Sequence, residues 1–170
     1  MLHLLRLHVF MALTATILVA APAQAGGKLK AKDLNKLGSL AGEMNYFEIV
    51  ELCAAWADKA MSGDLEQHYL HKCGAARAST GDFAGSEAIL SRMDTTTQIY
   101  ELNGRNAWGM LEHYRCNYDA ALDHFYATHD AYLRHGQNLS VPRNNIASIM
   151  AAQGKYPSAI QVSLDTGSTP

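Results

Sequence analysis

The sequence predicts an all-α fold, an α-solenoid of about four antiparallel helix pairs over residues 26–166. A short pattern recurs along the chain, as Asn45-Tyr46-Phe47, Gly81-Asp82-Phe83, Cys116-Asn117-Tyr118 and Gly154-Lys155-Tyr156. With Phe47, Phe83, Tyr118 and Tyr156 as anchors, the spacings are 36, 35 and 38 residues. Recurrence in that range marks helical repeat architectures. Between the anchors apolar residues fall three and four apart, and no convincing apolar–polar alternation marks a strand.

The chain opens on a leader. Arg6 precedes an apolar run from Val9 to Ala21, and Ala23-Gln24-Ala25 is a small-x-small cleavage signal, so residues 1–25 read as a cleaved secretory signal peptide. The run is short for a bilayer span of about 20 residues, and no later stretch is longer. No stable membrane insertion is expected after leader removal, and the product is expected in the periplasm or secreted. The 145 residues beyond Ala25 carry 13 Lys and Arg against 16 Asp and Glu. That balance speaks against nucleic acid, whose binders show a basic patch or stripe.

Each element has its own signal. Leu34, Leu37 and Leu40 predict a first helix over 31–42. Asn45 is a plausible cap for a second, running to about Met61, where Ser62-Gly63-Asp64 stops it. A third covers about Leu65 to Ser79, and Thr80-Gly81-Asp82 separates it from a fourth ending near Met93. Asp94-Thr95-Thr96-Thr97 offers several N-caps for a fifth helix reaching Arg115. The sixth runs from Tyr118 to about His135, where Gly136 suits a left-handed cap. Pro142 fits the first turn of a seventh helix, and the eighth starts near Tyr156. Residues 167–170 read as a flexible polar tail. Asn138-Leu139-Ser140 is a glycosylation sequon, meaningful only in a eukaryotic secretory host.

Three cysteines follow the leader: Cys53, Cys73 and Cys116. Export permits a disulfide, and the odd count leaves one thiol over. A turn at Ser62-Gly63-Asp64 makes the flanking helices antiparallel. Cys53 and Cys73, each ten residues from Gly63, then stand level across the hairpin and form the favoured pair. The alternative is that both are small core residues. Cys116 falls in a turn.

Aligning on the anchors aligns more than the aromatics. Nine residues before them stand Gly38, Gly74, Gly109 and Ala147, small enough for helix backbones to approach closely. Ten before stand Leu37, Cys73, Trp108 and Ile146, all apolar; three after stand Val50, Ser86, Ala121 and Ala159. On these columns the chain resembles the tetratricopeptide repeat family, helix pairs of about 34 residues with small residues where helices cross. Gly81-Asp82-Phe83, Asn117-Tyr118-Asp119-Ala120-Ala121 and Gly154-Lys155-Tyr156-Pro157-Ser158-Ala159 carry the likeness; the pair around Phe47 is degenerate, and Arg77 and Glu112 replace an aromatic usual in the first helix. The resemblance implies a right-handed solenoid whose first helices line a concave groove. Such arrays normally end in a capping helix with a polar outer face. The short eighth helix therefore implies either a loosely ordered last pair or an open face that docks on something.

Twelve residues before the anchors stand Asn35, His71, Asn106 and Asn144, all able to donate and accept hydrogen bonds. At spacings of three and four on the same face come Lys32, His68 and Asn103, then Ser39, Met110 and Ser148, with His113 further along. The resemblance places this stripe in the groove, where amides and imidazoles suit the backbone of an extended peptide. The expected function is non-enzymatic: a scaffold or adaptor recognising a protein or peptide through Asn35, His68, His71, Asn103, Asn106, Met110, His113, Asn144 and Ser148. One alternative is a sensory or regulatory module of a signalling system. Another is a metal- or pH-responsive binder through His68, His71 and His113, although neither CxxC nor HExxH is present. No cofactor is expected and oligomeric state is left open. The chain has no GxSxG, P-loop or dinucleotide fingerprint. Asp123-His124 and His129-Asp130 are neighbours about 100° apart on a helix rather than built dyads.

Overall fold

The computed structural model describes residues 28–59 and 61–164. The predicted leader and the tail at 167–170 lie outside them. The described residues form eight α-helices and no strand: α1 Ala31–Gly42, α2 Tyr46–Trp56, α3 Asp64–Ser79, α4 Phe83–Leu90, α5 Arg105–Tyr114, α6 Tyr118–Arg134, α7 Ser140–Ala152 and α8 Tyr156–Leu164. The expected all-α class is what the described residues adopt.

Helix ends follow local chemistry. Asp82 Oδ1 accepts from the Gly85 amide at 3.0 Å, and Asn45 Oδ1 from Glu48 at 3.4 Å, each satisfying a donor orphaned at a helix start. The turns that follow α1, α3, α5, α6 and α7 each contain a left-handed residue. Three are glycines, Gly81, Gly136 and Gly154, but Met44 and Cys116 also adopt positive φ, at 56° and 63°. That conformation costs a side-chain-bearing residue free energy that glycine avoids.

These turns correct the sequence register. The residue that opens each second helix is Tyr46, Phe83, Tyr118 or Tyr156, so Tyr46, not Phe47, is the first pair's anchor. Phe47 is 74% exposed. With Tyr46 as anchor, the column three residues on becomes Ile49, Ser86, Ala121 and Ala159, all buried. Two other boundaries differ from expectation. α2 stops at Trp56 instead of near Met61: the Tyr69 hydroxyl takes the Cys53 carbonyl at 2.7 Å, and the Ala57 amide tightens onto Ala54. The fifth helix begins with a π-helical turn, Tyr100–Gly104, rather than a continuous α-helix.

Each helix packs against the next along the chain; α1 also packs on α3, and α3 on α5. α7 meets the rest chiefly through α6. The larger core runs through α1 to α5 and includes Leu37, Ile49, Leu70, Leu90 and Leu111; a smaller one gathers Ala121, Phe125, Ile146 and Ile149. Two of the small residues are required sterically. A Cβ at Gly74 would lie 2.4 Å from Leu90 Cδ2, and one at Gly109 2.6 Å from the Phe125 ring. Ser86 seals the first crossing by donating to the Gly74 carbonyl at 2.8 Å. Cys53 and Cys73, both buried, stand at disulfide distance between α2 and α3, with Cα atoms 5.9 Å apart. Cys116 is free and exposed.

A polar depression between the first and third helices

Four of the nine residues predicted to bind a partner come together. Asn35 of α1, His68 and His71 of α3 and Asn103 of the π-helical turn line a depression of about 590 Å³, shared with Leu34, Asp64 and Lys72. The turn is fixed from several sides. Gln67, buried on α3, accepts from the Asp94 amide at 2.9 Å and holds the preceding loop. Thr97 Oγ1 accepts from the Tyr100 amide at 3.1 Å. Glu101 accepts from Arg134 at 3.3 Å and lies 3.0 Å from His135 Nε2, tying the turn to the end of α6. π-helical turns are rare and concentrate at functional sites; this one carries Asn103 to the rim.

The depression brings together the Lys72 amine, the Asp64 carboxylate and two imidazoles. Lys72 Nζ has no hydrogen bond or ion pair among the described residues, and burial pushes its pKa down. The amine sits over α1 where Gly38 leaves room; a Cβ there would lie 3.7 Å away. His71 is drawn down from its ordinary 6.5 to about 3, by burial first and then by Lys72 and His68, with only the Gln67 backbone acting the other way. His71 lines the depression, while its Nδ1 is enclosed and meets no hydrogen-bond geometry among the described residues. His68 is lowered by burial and by the Lys72 cation, partly offset by Asp64. The two rings lie edge to face with centroids 5.7 Å apart. The lining thus combines the Lys72 amine and the Asp64 carboxylate with two imidazoles that burial draws below their ordinary pKa and two side-chain amides.

The other five predicted residues lie elsewhere. Asn106 Oδ1 accepts from Asn145 at 2.7 Å, joining α5 to α7. Its amide also lies 3.9 Å from Met110 Sδ, and Met110 packs into the smaller core. His113 rests against Tyr114 and Tyr118, with Nδ1 enclosed. Asn144 and Ser148 line a shallower, mostly apolar depression with Tyr156, Ile160 and Leu164, and Ser148 donates to the Asn144 carbonyl at 2.8 Å.

Lys72 and Asn145 are the residues that sequence reasoning missed. The signal for Lys72 was present: positions 68, 71 and 72 share one helical face. Asn145 gave no such signal, because its role depends on where α7 crosses α5. Among the described residues no group of three or more His, Cys, Asp or Glu is placed to hold a metal ion. The Lys72 cation beside His68 and His71 further disfavours one there. His129 Nδ1 lies 3.5 Å from Asp130, and His124 stacks on Trp108 with ring centroids 6.3 Å apart. Among the described residues no helix is long and apolar enough to cross a membrane. No family model matches the chain, and no curated protein and no solved structure is detectably similar to it.

Proposed function

We propose that the protein is a non-enzymatic recognition module that binds a protein or peptide segment in the depression between α1 and α3. The segment lays hydrogen-bonding backbone on Asn35, His68, His71 and Asn103 and presents one carboxylate to Lys72. The observation that carries this proposal is the partly desolvated Lys72 amine, which has no hydrogen bond or ion pair among the described residues and lies in the lining of the depression. Buried polar groups are nearly always satisfied, and an unpaired charge drawn out of water is costly. An external carboxylate offsets that cost directly.

The wider architecture supports the same proposal. Four helix pairs stacked as a right-handed, tetratricopeptide-like solenoid would explain the neighbour-to-neighbour packing and the close crossings at Gly74 and Gly109. Stacked helix pairs of this kind create extended concave binding surfaces. The leader-like residues 1–25 and the Cys53–Cys73 pair favour an exported compartment, where disulfides persist. The test is affinity capture from the exported fraction with wild type and with Lys72→Gln/His71→Gln. Specific capture by wild type and at least a tenfold loss in the double variant, with unchanged circular dichroism, is expected. Equal recovery by both excludes the depression as the binding site.

A further inference from the structure

Two helices far apart in the chain, α2 and α8, expose apolar surface rimmed by opposite charge. The five most exposed large apolar side chains among the described residues are Met44, Phe47, Tyr156, Ile160 and Leu164, each at 60% or more. Met44 precedes α2 and Phe47 lies on it, and α2 packs chiefly on α1 and α3; the other three lie on α8, which packs chiefly on α7. Clustered apolar exposure of this kind marks an interaction surface. The α2 face is acidic. Phe47 lines a shallow depression with Glu48, Glu51 and Leu52, and from Glu43 to Trp56 the chain carries three glutamates and no Lys, Arg or His. The α8 face is the reverse. From Gly136 to Leu164 there is no Asp or Glu. The cations there are Lys155, just before α8, and Arg143, which is already engaged within the protein; Asp165 lies beyond the described residues.

We infer that these two faces bind each other between copies of the chain, the α8 face of one molecule seating on the α2 face of the next. Phe47 enters the neighbour's α7–α8 depression of about 560 Å³. Ala147, Ala151 and Ala159 are small there, and Tyr156, Ile160 and Leu164 stand beside them, four apart on one side of α8. Charge decides the pairing. A two-fold contact sets each face against its own copy, which places glutamates against glutamates across α2 and Lys155 against Lys155 across α8. The head-to-tail contact instead brings opposite charges together, which speeds encounter and suppresses wrong pairings. Glu48 is held by Lys36 at 3.3 Å, so exposed Glu51 is the carboxylate that meets the neighbour's Lys155. That amine donates to Gln153 at 2.9 Å within its own turn and keeps further N–H groups to give. The contact is heterologous: it builds a ring if its rotation closes and an open row if it does not.

The experiment follows the full chain by sedimentation equilibrium over a range of protein concentrations. Association that grows with concentration and passes beyond the dimer is expected. Phe47→Ser and Ile160→Asp alter exposed positions, one in each face. Each alone is expected to associate about tenfold more weakly, with unchanged circular dichroism. Mixed, the two are expected to form a dimer and nothing larger, because one variant keeps its α8 face and the other its α2 face. Leu164→Ser in place of Ile160→Asp repeats the mixture and guards against a folding artefact. Glu51→Lys is expected to weaken association about threefold and to recover it when mixed with Lys155→Glu. A wild type that stays monomeric, full association by Phe47→Ser alone, or monomers in both mixtures overturns the inference.

Discussion

The front of the molecule, α1 to α5, and the back, α6 to α8, solve the same packing problem differently. The front gathers most of its apolar side chains in one continuous core, tied by Cys53 and Cys73, leaves Met44 and Phe47 exposed, and lines an open depression largely with polar side chains. The back satisfies much of its polar chemistry internally, through Asn145 on Asn106 and Ser148 on the Asn144 carbonyl, and leaves Tyr156, Ile160 and Leu164 at 60% exposure or more. Both leave surface with unrealised interaction energy, but of opposite character. A polar site discriminates among partners by what it leaves unpaired when the wrong one binds; an apolar face is far less selective. On that ground the proposed recognition is assigned to the front.

The largest expected effect concerns the covalent tie that only the front possesses. Cys53 and Cys73 are separated by 20 residues, and closing a loop of that length in the unfolded chain is worth about 3 kcal/mol. Reduction, or Cys53→Ala/Cys73→Ala, should lower the urea midpoint accordingly, while reductant leaves the midpoint of the double variant unmoved. An unchanged midpoint on reduction would remove the asymmetry between the halves.

Next come the helix crossings, one in each half. Gly74→Ala drives a methyl into Leu90 and Gly109→Ala drives one into Phe125, each expected to cost about 1–3 kcal/mol by overpacking. Gly38→Ala meets only the Lys72 amine at ordinary contact distance and should be close to neutral. If all three behave alike in thermal melts, the small-residue column reflects helix propensity rather than packing.

Acid should act on the front through His71. This imidazole is held neutral in the fold, with a pKa of about 3 against an ordinary 6.5, so below pH 6.5 the unfolded chain takes up the proton first. Its contribution to stability is complete above pH 6.5 and is lost as the pH falls toward 3, at most about 1.4 kcal/mol per pH unit. His71→Gln should flatten that part of the melting-temperature profile. An identical slope in both proteins would show that His71 is not held neutral by the fold.

The smallest effect lies at a turn. Cys116 holds φ at 63° where glycine is unstrained, so Cys116→Gly should gain up to about 1 kcal/mol. A loss in chemical denaturation would mean that the thiol makes a contact worth more than the strain.

How far the sequence carried can be judged from particular residues. The helix boundaries at Gly42, Ser79 and Tyr118 were legible because caps and glycines act locally. The Cys53–Cys73 pairing was legible from equal distances to Gly63. The anchor slipped by one in the first pair because the alignment followed the aromatic Phe47, whereas Asn45, the cap equivalent to Asp82 and Asn117, marks the turn. The π-helical turn was not legible, since it depends on how Glu101 and Gln67 are held by α6 and α3. The predicted stripe of nine residues divided because Asn106 and Met110 sit where α7 crosses α5, a tertiary fact with no periodic trace.

The most direct test of the front as the recognition surface is an amide NMR titration of the full chain with the captured partner. The account predicts that perturbations cluster at Asn35, His68, His71, Lys72 and Asn103. Perturbations confined to Ala147, Tyr156, Ile160 and Leu164, with the depression unaffected, would contradict it.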